Sequence, residues 1–383
     1  MESAVVLAGG AGKGLKTLTG GRPKALFKIA GKSVIEYVLN SLIDVGIKKV
    51  TLVTDKPSEF EDVTIKYGRK LSFDLREQEG TEVIGALLTA RDELSRGSLM
   101  VYSDTLVPKE AYEMVINTYG YSHAPVIMVV PEEDTTLYGA VSISINGCVE
   151  GFIEKPVKHI EGAYAFGGLA VFNEQIVRLM ERLGRLDEAI SEYCRTSPIK
   201  AAVWSGWWVD VGYPWNVLEA LYYTLSEYRE SVISRNAKVS PSAVIEGPVV
   251  IEDGAVVDHY AVVRGPVYVG KDSLIGTHAF VRPYTSVEDN AFIGSYSEVV
   301  WSLVGARATV GRGSFLGYSV VGEDAIVEPS VITKLLVKPE AEGIKAIREV
   351  KRRRKYYKIG AFIGRGARVT TCRVIEPGTE IVK

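Results

Sequence analysis

The chain has 383 residues, 46% of them hydrophobic and 24% charged, with a formal net charge of −2. This suggests two or three domains with ample core, and it lacks the basic excess of a nucleic-acid binder. Three widely spaced cysteines (Cys148, Cys194, Cys372) argue against a disulfide framework or zinc site and fit a reducing compartment. The four histidines (His123, His159, His259, His278) show no metal-ligand spacing. No signal-peptide pattern is visible and no apolar run approaches the ~18 residues of a membrane helix. The expectation is a cytoplasmic protein that binds neither membrane nor nucleic acid.

In chain order, the first half alternates strands and helices. Ser3–Ala8 is a short apolar run ending in glycines, as a buried parallel strand would be. A helix follows Ser33, with Val34, Val38, Leu42 and Val45 on one face and Gly46 as its stop. Lys49–Thr54 and Ser98–Asp104 read as further strands, and Trp215–Ser231 as a last helix. Strand–helix–strand at this spacing predicts a doubly wound, mostly parallel α/β sheet over residues 1–230.

The second half, residues 237–383, changes period. Val239, Ile245, Ile251, Val257, Val263, Val269, Ile275, Val281, Val287, Ile293 and Val299 recur every sixth residue. Four positions after nearly every one sits a small or β-branched residue such as Ala255, Ala261, Ser273 or Ala279. A six-residue period is neither helical nor a plain strand period. It predicts a parallel β-helix, three hexads to a coil, with the aliphatic residue inward and the small one at the corner. A basic insertion, 334–358, breaks the register and reads as a loop. Its run Lys351–Lys358 reads as either an anion clamp, a docking site or a solvated loop.

Between Leu7 and Leu26, nine of twenty residues are Gly or Lys, which suits wrapping an anion. A G-x-x-x-x-G-K-[ST] phosphate loop fails, because Leu7 and Gly14 stand where glycine and a hydroxyl are needed. A G-x-G-x-x-G fingerprint from Gly10 fails at Leu15. What remains is a glycine turn with no ligand, or one whose main-chain N–H groups surround a triphosphate, with Lys24 following.

The stretch Leu7–Lys24 resembles the signature of the sugar-1-phosphate nucleotidylyltransferases. Further family elements follow in order: VYSDTL (Val101–Leu106), LYGAVS (Leu137–Ser142), IEKP (Ile153–Pro156) and GWWVDVGYPWNVLEA (Gly206–Ala220). The hexads resemble the left-handed β-helix of bifunctional members, archaeal forms included. Those members join thymidylyl- or uridylyltransferase to amino-sugar-1-phosphate acetyltransferase activity.

The resemblance implies Mg2+ held by Asp104 and Asp210. It implies a nucleotide contacted by Leu7, Ala8, Gly9, Gly10, Gly12, Lys13, Lys24, Gln78, Gly80 and Thr81. Gly139, Glu154, Lys155 and Gly168 would contact the sugar phosphate. The implied reaction joins a nucleoside triphosphate, dTTP or UTP, to a hexose-1-phosphate, with Lys24, Asp104 and Asp210 as catalytic residues. It also implies a homo-oligomer, a trimer, built through the β-helix.

Several positions depart from the pattern. Gly14 stands in the place of the family's loop arginine, leaving Lys13 or Lys16 as nearby cations. The glutamine–glycine–threonine spacing around Gln78 is shortened. Phe166, Gly167 and Gly168 replace an asparagine-x-glycine. Arg312 lies where the acetyltransferase members carry a catalytic histidine, so acetyl transfer is not expected. These departures motivate a second reading, a catalytically impaired homologue that binds nucleotide sugar and regulates or scaffolds a paralogous enzyme.

Overall fold

Short runs of β-branched residues, too brief for helices, form the central strands of the first half. The computed structural model describes residues 1–10, 12–337, 347–351 and 354–383. They divide into two compact units, Met1–Ala11 with Val34–Asp210, and Gly12–Ser33 with Val211–Lys383. No helix among the described residues is long and apolar enough to cross a membrane.

In the first unit, strands β1 (Ser3–Leu7), β2 (Lys49–Thr54), β3 (Ser72–Glu77) and β4 (Leu99–Tyr102) pair in parallel, in the order β3-β2-β1-β4. The chain winds outward from β1 to β3 and then returns to the other side of β1. The carboxyl ends of β1 and β4 therefore flank a topological switch point, where ligands of such sheets bind. The remaining strands are β5 (Thr105–Leu106), β6 (Val126–Val130), β7 (Gly139–Ile143), β8 (Val149–Glu154), β9 (Tyr164–Val171), β10 (Lys200–Val203) and β11 (Val209–Asp210). Strand β9 runs antiparallel beside β4, β6 and β7, so the doubly wound sheet gains an antiparallel half.

Helix α1 (Val34–Asp44) buries Val34, Val38 and Leu42 and gives way to Gly46 at φ 85°. Helices α2 (Glu82–Thr89) and α3 (Leu186–Cys194) carry loops that reach the carboxyl edge of the sheet. The core gathers Val5, Val53, Met100, Ile127, Phe152, Phe166 and Phe172.

In the second unit the hexads form a left-handed parallel β-helix. Each inward aliphatic stacks on its counterpart one coil on: Val239 on Val257, Ile251 on Val269, Ile275 on Ile293. Ala255, Ala261, Ser273, Ala279 and Ala291 fill corners and are fully buried. The residue before each corner turns left-handed, as at Tyr260, Asp272, His278, Asn290 and Tyr296. From Val304 the coils shorten by one residue yet stay in register, with Val287 on Val304 and Val304 on Val321. After the insertion the stack resumes, Val321 pairing with Ile363.

The insertion, read from sequence as a loop, is partly strand. Leu336–Val337 and Ile347–Lys351 both pair antiparallel with Arg354–Lys358. Residues 338–346, with Arg352 and Arg353 of the basic run, lie outside the described residues. At Lys358 the ammonium stands 5.1 Å over the Tyr318 ring.

Helix α4 (Pro214–Ser226) is shorter than the Trp215–Ser231 expected. It packs on one corner row of the β-helix: Tyr222 stacks on Trp301 (5.2 Å, 6°), which also contacts Tyr284 and Tyr318. The Trp301 indole N–H donates to the Leu218 carbonyl at 3.3 Å.

Candidate functional site

At the end of β1 the chain leaves the sheet through Leu7 and Ala8, both buried. The Ala8 N–H donates to Val53 O (2.7 Å), and the Ser103 N–H donates to Leu7 O (3.1 Å). The glycine turn is thereby tied between the ends of β2 and β4. A Cβ on Gly9 would take the place of the Gln78 amide oxygen, so glycine here lets the Gln78 side chain lie against the turn. Gly10 adopts φ 115°, a conformation open to glycine.

Gln78 follows β3, with its N–H bonded to Thr54 O and its side-chain amide donating to Glu82 O (2.9 Å). Gly80 turns left-handed at φ 76°, and Thr81 stands immediately before α2. The shortened Gln78–Gly80–Thr81 stretch therefore still lies at the carboxyl edge, with Gln78 against Gly9.

The two aspartates come from different strand ends. Asp104 follows β4 and is buried, whereas Asp210 lies in β11, paired with Thr105 of β5. Tyr102 reports their convergence. Burial first, and then the carboxylates of Glu154, Asp104 and Asp210, push its hydroxyl well above the ordinary phenol range. Three carboxylates thus act electrostatically on one half-buried ring. Gly168, at φ 82°, lies flat against this group: a Cβ there would stand 2.7 Å from Thr105 Oγ1 and 3.4 Å from Tyr102 Cβ.

Glu154 and Lys155 end the β7–β8 hairpin. The Glu154 carboxyl, though its side chain reaches solvent, is raised in pKa chiefly by desolvation, with Lys155 opposing. Asp187 accepts from the Glu154 N–H (3.4 Å) and is itself clamped by Arg185 (2.7 Å). A side chain at Gly139 would meet Phe152 and would stand 3.2 Å from Glu154 Oε2. Lys155, left-handed at φ 44°, donates its N–H to Tyr138 O. Tyr138 in turn lies edge-on to Trp208 (5.0 Å), whose indole N–H donates to Gly167 O (3.1 Å). Sequence reading did not single out Tyr102, Asp187 or Arg185. The signal available for Asp187 was its place in the first turn of a helix after a loop arginine.

The remaining positions belong to the second unit. Gly12 is left-handed at φ 51°, and Lys24 opens a short turn after Pro23. A Cβ on Gly12 would stand 3.7 Å from Lys24 Cβ, so these two signature positions are neighbours. Lys13 and Lys16 are exposed. Gly14 faces the start of α4, where a Cβ would collide with Gly212 O and stand 2.8 Å from the Tyr213 ring. Glycine in the arginine position is thus a packing requirement. Arg312 lies exposed on a β-helix turn, its carbonyl accepting from the Ser330 N–H (2.9 Å).

The family model described as "Nucleotidyl transferase" matches residues 3–227. The chain belongs to the nucleotidyl transferase family. A second model, bacterial transferase hexapeptide (six repeats), matches residues 248–283. Among relatives of this nucleotidyl transferase, "Bifunctional protein GlmU" of Methanocaldococcus jannaschii is 28% identical over 99% of this chain and 91% of its own length. "Mannose-1-phosphate guanylyltransferase catalytic subunit beta" of Drosophila melanogaster is 31% identical over 85% of this chain and 89% of its own. In fold, the chain is similar to UTP-bound UGPase from Acinetobacter baumannii. That similarity has a TM-score of 0.51 at 22% identity, over 59% of this chain and 94% of that one.

Proposed function

We propose that the protein transfers a nucleotidyl group from a nucleoside triphosphate, dTTP or UTP favoured, to a hexose-1-phosphate, releasing pyrophosphate. The observation that carries this reading is the convergence of Asp104, Asp210 and Glu154 around Tyr102, at the strand ends flanking the Gly9–Gly10 turn. Two phosphorylated molecules repel one another by several kcal/mol at contact unless positive charge intervenes, so the chemistry is one of positioning and neutralisation.

Asp104 and Asp210 would hold the ion, since their hard oxygen donors are of the kind that suit magnesium. When bound there, Mg2+ would neutralise phosphate charge. The chain's own groups do the rest. Main-chain N–H groups of the glycine turn and Lys24 receive the triphosphate, with Lys13 near the loop's missing arginine. Gln78, held against Gly9, faces the base together with Gly80 and Thr81. Glu154 accepts sugar hydroxyls, Lys155 pairs with the sugar phosphate, and Gly139 and Gly168 meet the sugar through their main chain.

The same reading includes homo-oligomerisation through the β-helix, as a trimer. One outward row of the prism runs Val244, Val262, Phe280, Glu298, Phe315, Ile332, Val374, nearly all apolar and none fully buried. Light scattering tests it, and a monomer would contradict it.

The test of the activity is pyrophosphate release with a panel of dTTP, UTP, GTP, ATP and CTP against hexose-1-phosphates. GTP is included because one relative is by name a guanylyltransferase. Release dependent on both substrates and on Mg2+, and lost in Asp104→Asn, is the expected result. Tight binding of a nucleotide sugar without turnover would instead support the regulatory, catalytically impaired alternative.

A further inference from the structure

The outward rows of the β-helix are not equivalent. On the row just described the side chains are half-buried or exposed, but on another the outward residues Tyr268, Ser286, Leu303, Val320 and Phe362 are 5%, 0%, 1%, 0% and 1% exposed. Within the same compact unit this face meets the segment Gly12–Ser33 and helix α4. The segment touches it along most of its length. Thr17 accepts the Arg365 N–H on its carbonyl (3.0 Å) and donates its hydroxyl to Glu380 (2.9 Å). A Cβ on Gly20 would stand 3.0 Å from the Arg365 side chain, and Arg22 pairs with Glu323 at 3.3 Å. Lys28 pairs with Asp289 at 3.0 Å. Gly31, at φ 79°, lies flat on Tyr268, and its N–H donates to Glu288 Oε2 at 3.1 Å.

These contacts differ in weight. Arg22–Glu323 and Lys28–Asp289 are partly solvated pairs of the kind that contribute little individually. Glu288 is 1% exposed, and its two oxygens are taken by the Ser286 hydroxyl (2.6 Å) and the Gly31 N–H. A buried carboxylate held by two donors specifies its geometry, because losing either donor leaves a polar group without solvent.

We infer that the covered face of the β-helix positions the nucleotide loop, and that Glu288 is the positioning residue that fixes the Lys28–Ser33 end of the segment bearing Gly12 and Lys24. The inference rests on the nucleotidyl-transfer reading, since it assigns that segment to the triphosphate. The β-helix is then a working part of the transferase and not solely an assembly device. Its action falls first on the nucleotide, because Gly12, Lys13 and Lys24 are carried by the docked segment and none of the residues assigned to the sugar, Gly139, Glu154, Lys155 and Gly168, is.

The experiment compares full-length wild type with Glu288→Ala, Glu288→Gln and Lys28→Met. It measures the KM of each substrate by pyrophosphate release and amide hydrogen exchange in residues 28–33. Glu288→Ala should raise the nucleotide KM at least tenfold, leave the sugar-phosphate KM within twofold and speed exchange. Glu288→Gln, which keeps one acceptor, should recover most of both effects. If Glu288→Ala does not fold, Lys28→Met must show the same selectivity with a smaller change, about threefold. Equal changes in both KM values, or faster exchange with neither KM altered, overturn the proposal. If wild type releases no pyrophosphate, the transfer reading fails and positioning falls with it, while exchange still reports separately whether the segment is docked.

Discussion

The Gly31 N–H and the Glu288 carboxylate meet at 3.1 Å across 257 positions of sequence. Burial pushes the Glu288 carboxyl up to about 7, opposed by the Ser286 hydroxyl and the Gly31 N–H, with Asp289 adding to the rise and Lys28 opposing it. Tyr268 and Tyr228 face the same group, with Glu252 nearby. Between the ordinary carboxylate range and pH 7 the folded protein holds a proton that the unfolded chain has released. This group's contribution to stability is therefore largest in acid and is lost as pH rises through that window. The urea midpoint of wild type should fall between pH 5 and pH 8 more steeply than that of Glu288→Gln. Equal slopes would refute the assignment.

Gly14 is pinned by the chain entering α4. The Tyr213 ring that a Cβ would strike is itself stacked on Trp215 at 4.7 Å and 4°. Gly14→Arg should therefore destabilise the fold by about 1–3 kcal/mol through overpacking, read as a lowered Tm, and should not raise activity. A faster enzyme with unchanged Tm would show that the position tolerates the arginine.

Asp104→Asn and Asp210→Asn each keep size and remove charge. Both should lower pyrophosphate release by about 10²-fold or more, the scale for losing one preorganised electrostatic partner. Far-UV circular dichroism should remain that of wild type. Chelation of Mg2+ should abolish release in the parent enzyme, and activity surviving chelator would sink the metal assignment.

Partial desolvation raises the pKa of Glu154, whose side chain still reaches solvent, with Lys155 opposing. In the proposed role of accepting sugar hydroxyls it would work when ionised, so its upward shift brings the loss of binding closer to neutrality as pH falls. The sugar-phosphate KM should climb on acidification while the nucleotide KM moves less. Glu154→Gln should show a raised and pH-flat sugar-phosphate KM over the same range.

Trp301 joins Tyr222, Tyr284 and Tyr318 in one stack between α4 and the β-helix. Trp301 is half-buried, so Trp301→Ala, which removes that stack, should cost less than a fully buried aromatic, about 1–3 kcal/mol. Urea unfolding should show the loss, and a change under about 1 kcal/mol, within the range of an ordinary surface substitution, would mean that the stack is not a structural anchor.

The β-helix was legible because each hexad contains one inward aliphatic, and eleven of them, Val239 to Val299, repeat without interruption. The glycine turn, the helix after Ser33 and the strand Lys49–Thr54 were legible for the same reason: their signals are contiguous. What lay beyond the sequence was long-range. Nothing local links Gly31 to Glu288, Gly14 to Tyr213 or Glu154 to Asp187, and Tyr102 reads as an ordinary strand residue. In the insertion the basic composition reads as loop, yet Ile347–Lys351 and Arg354–Lys358 pair as strands.

The docking of Gly12–Ser33 has a consequence for biosynthesis. Translation delivers this segment early, yet Tyr268, Glu288, Glu323 and Arg365 leave the ribosome some 240 to 350 residues later. Because chains are made at about 5–20 residues per second, the segment waits on the order of ten seconds or more without its partner surface. A nascent chain arrested before the last coils should therefore expose the glycine loop to protease, and release of the completed polypeptide should close it.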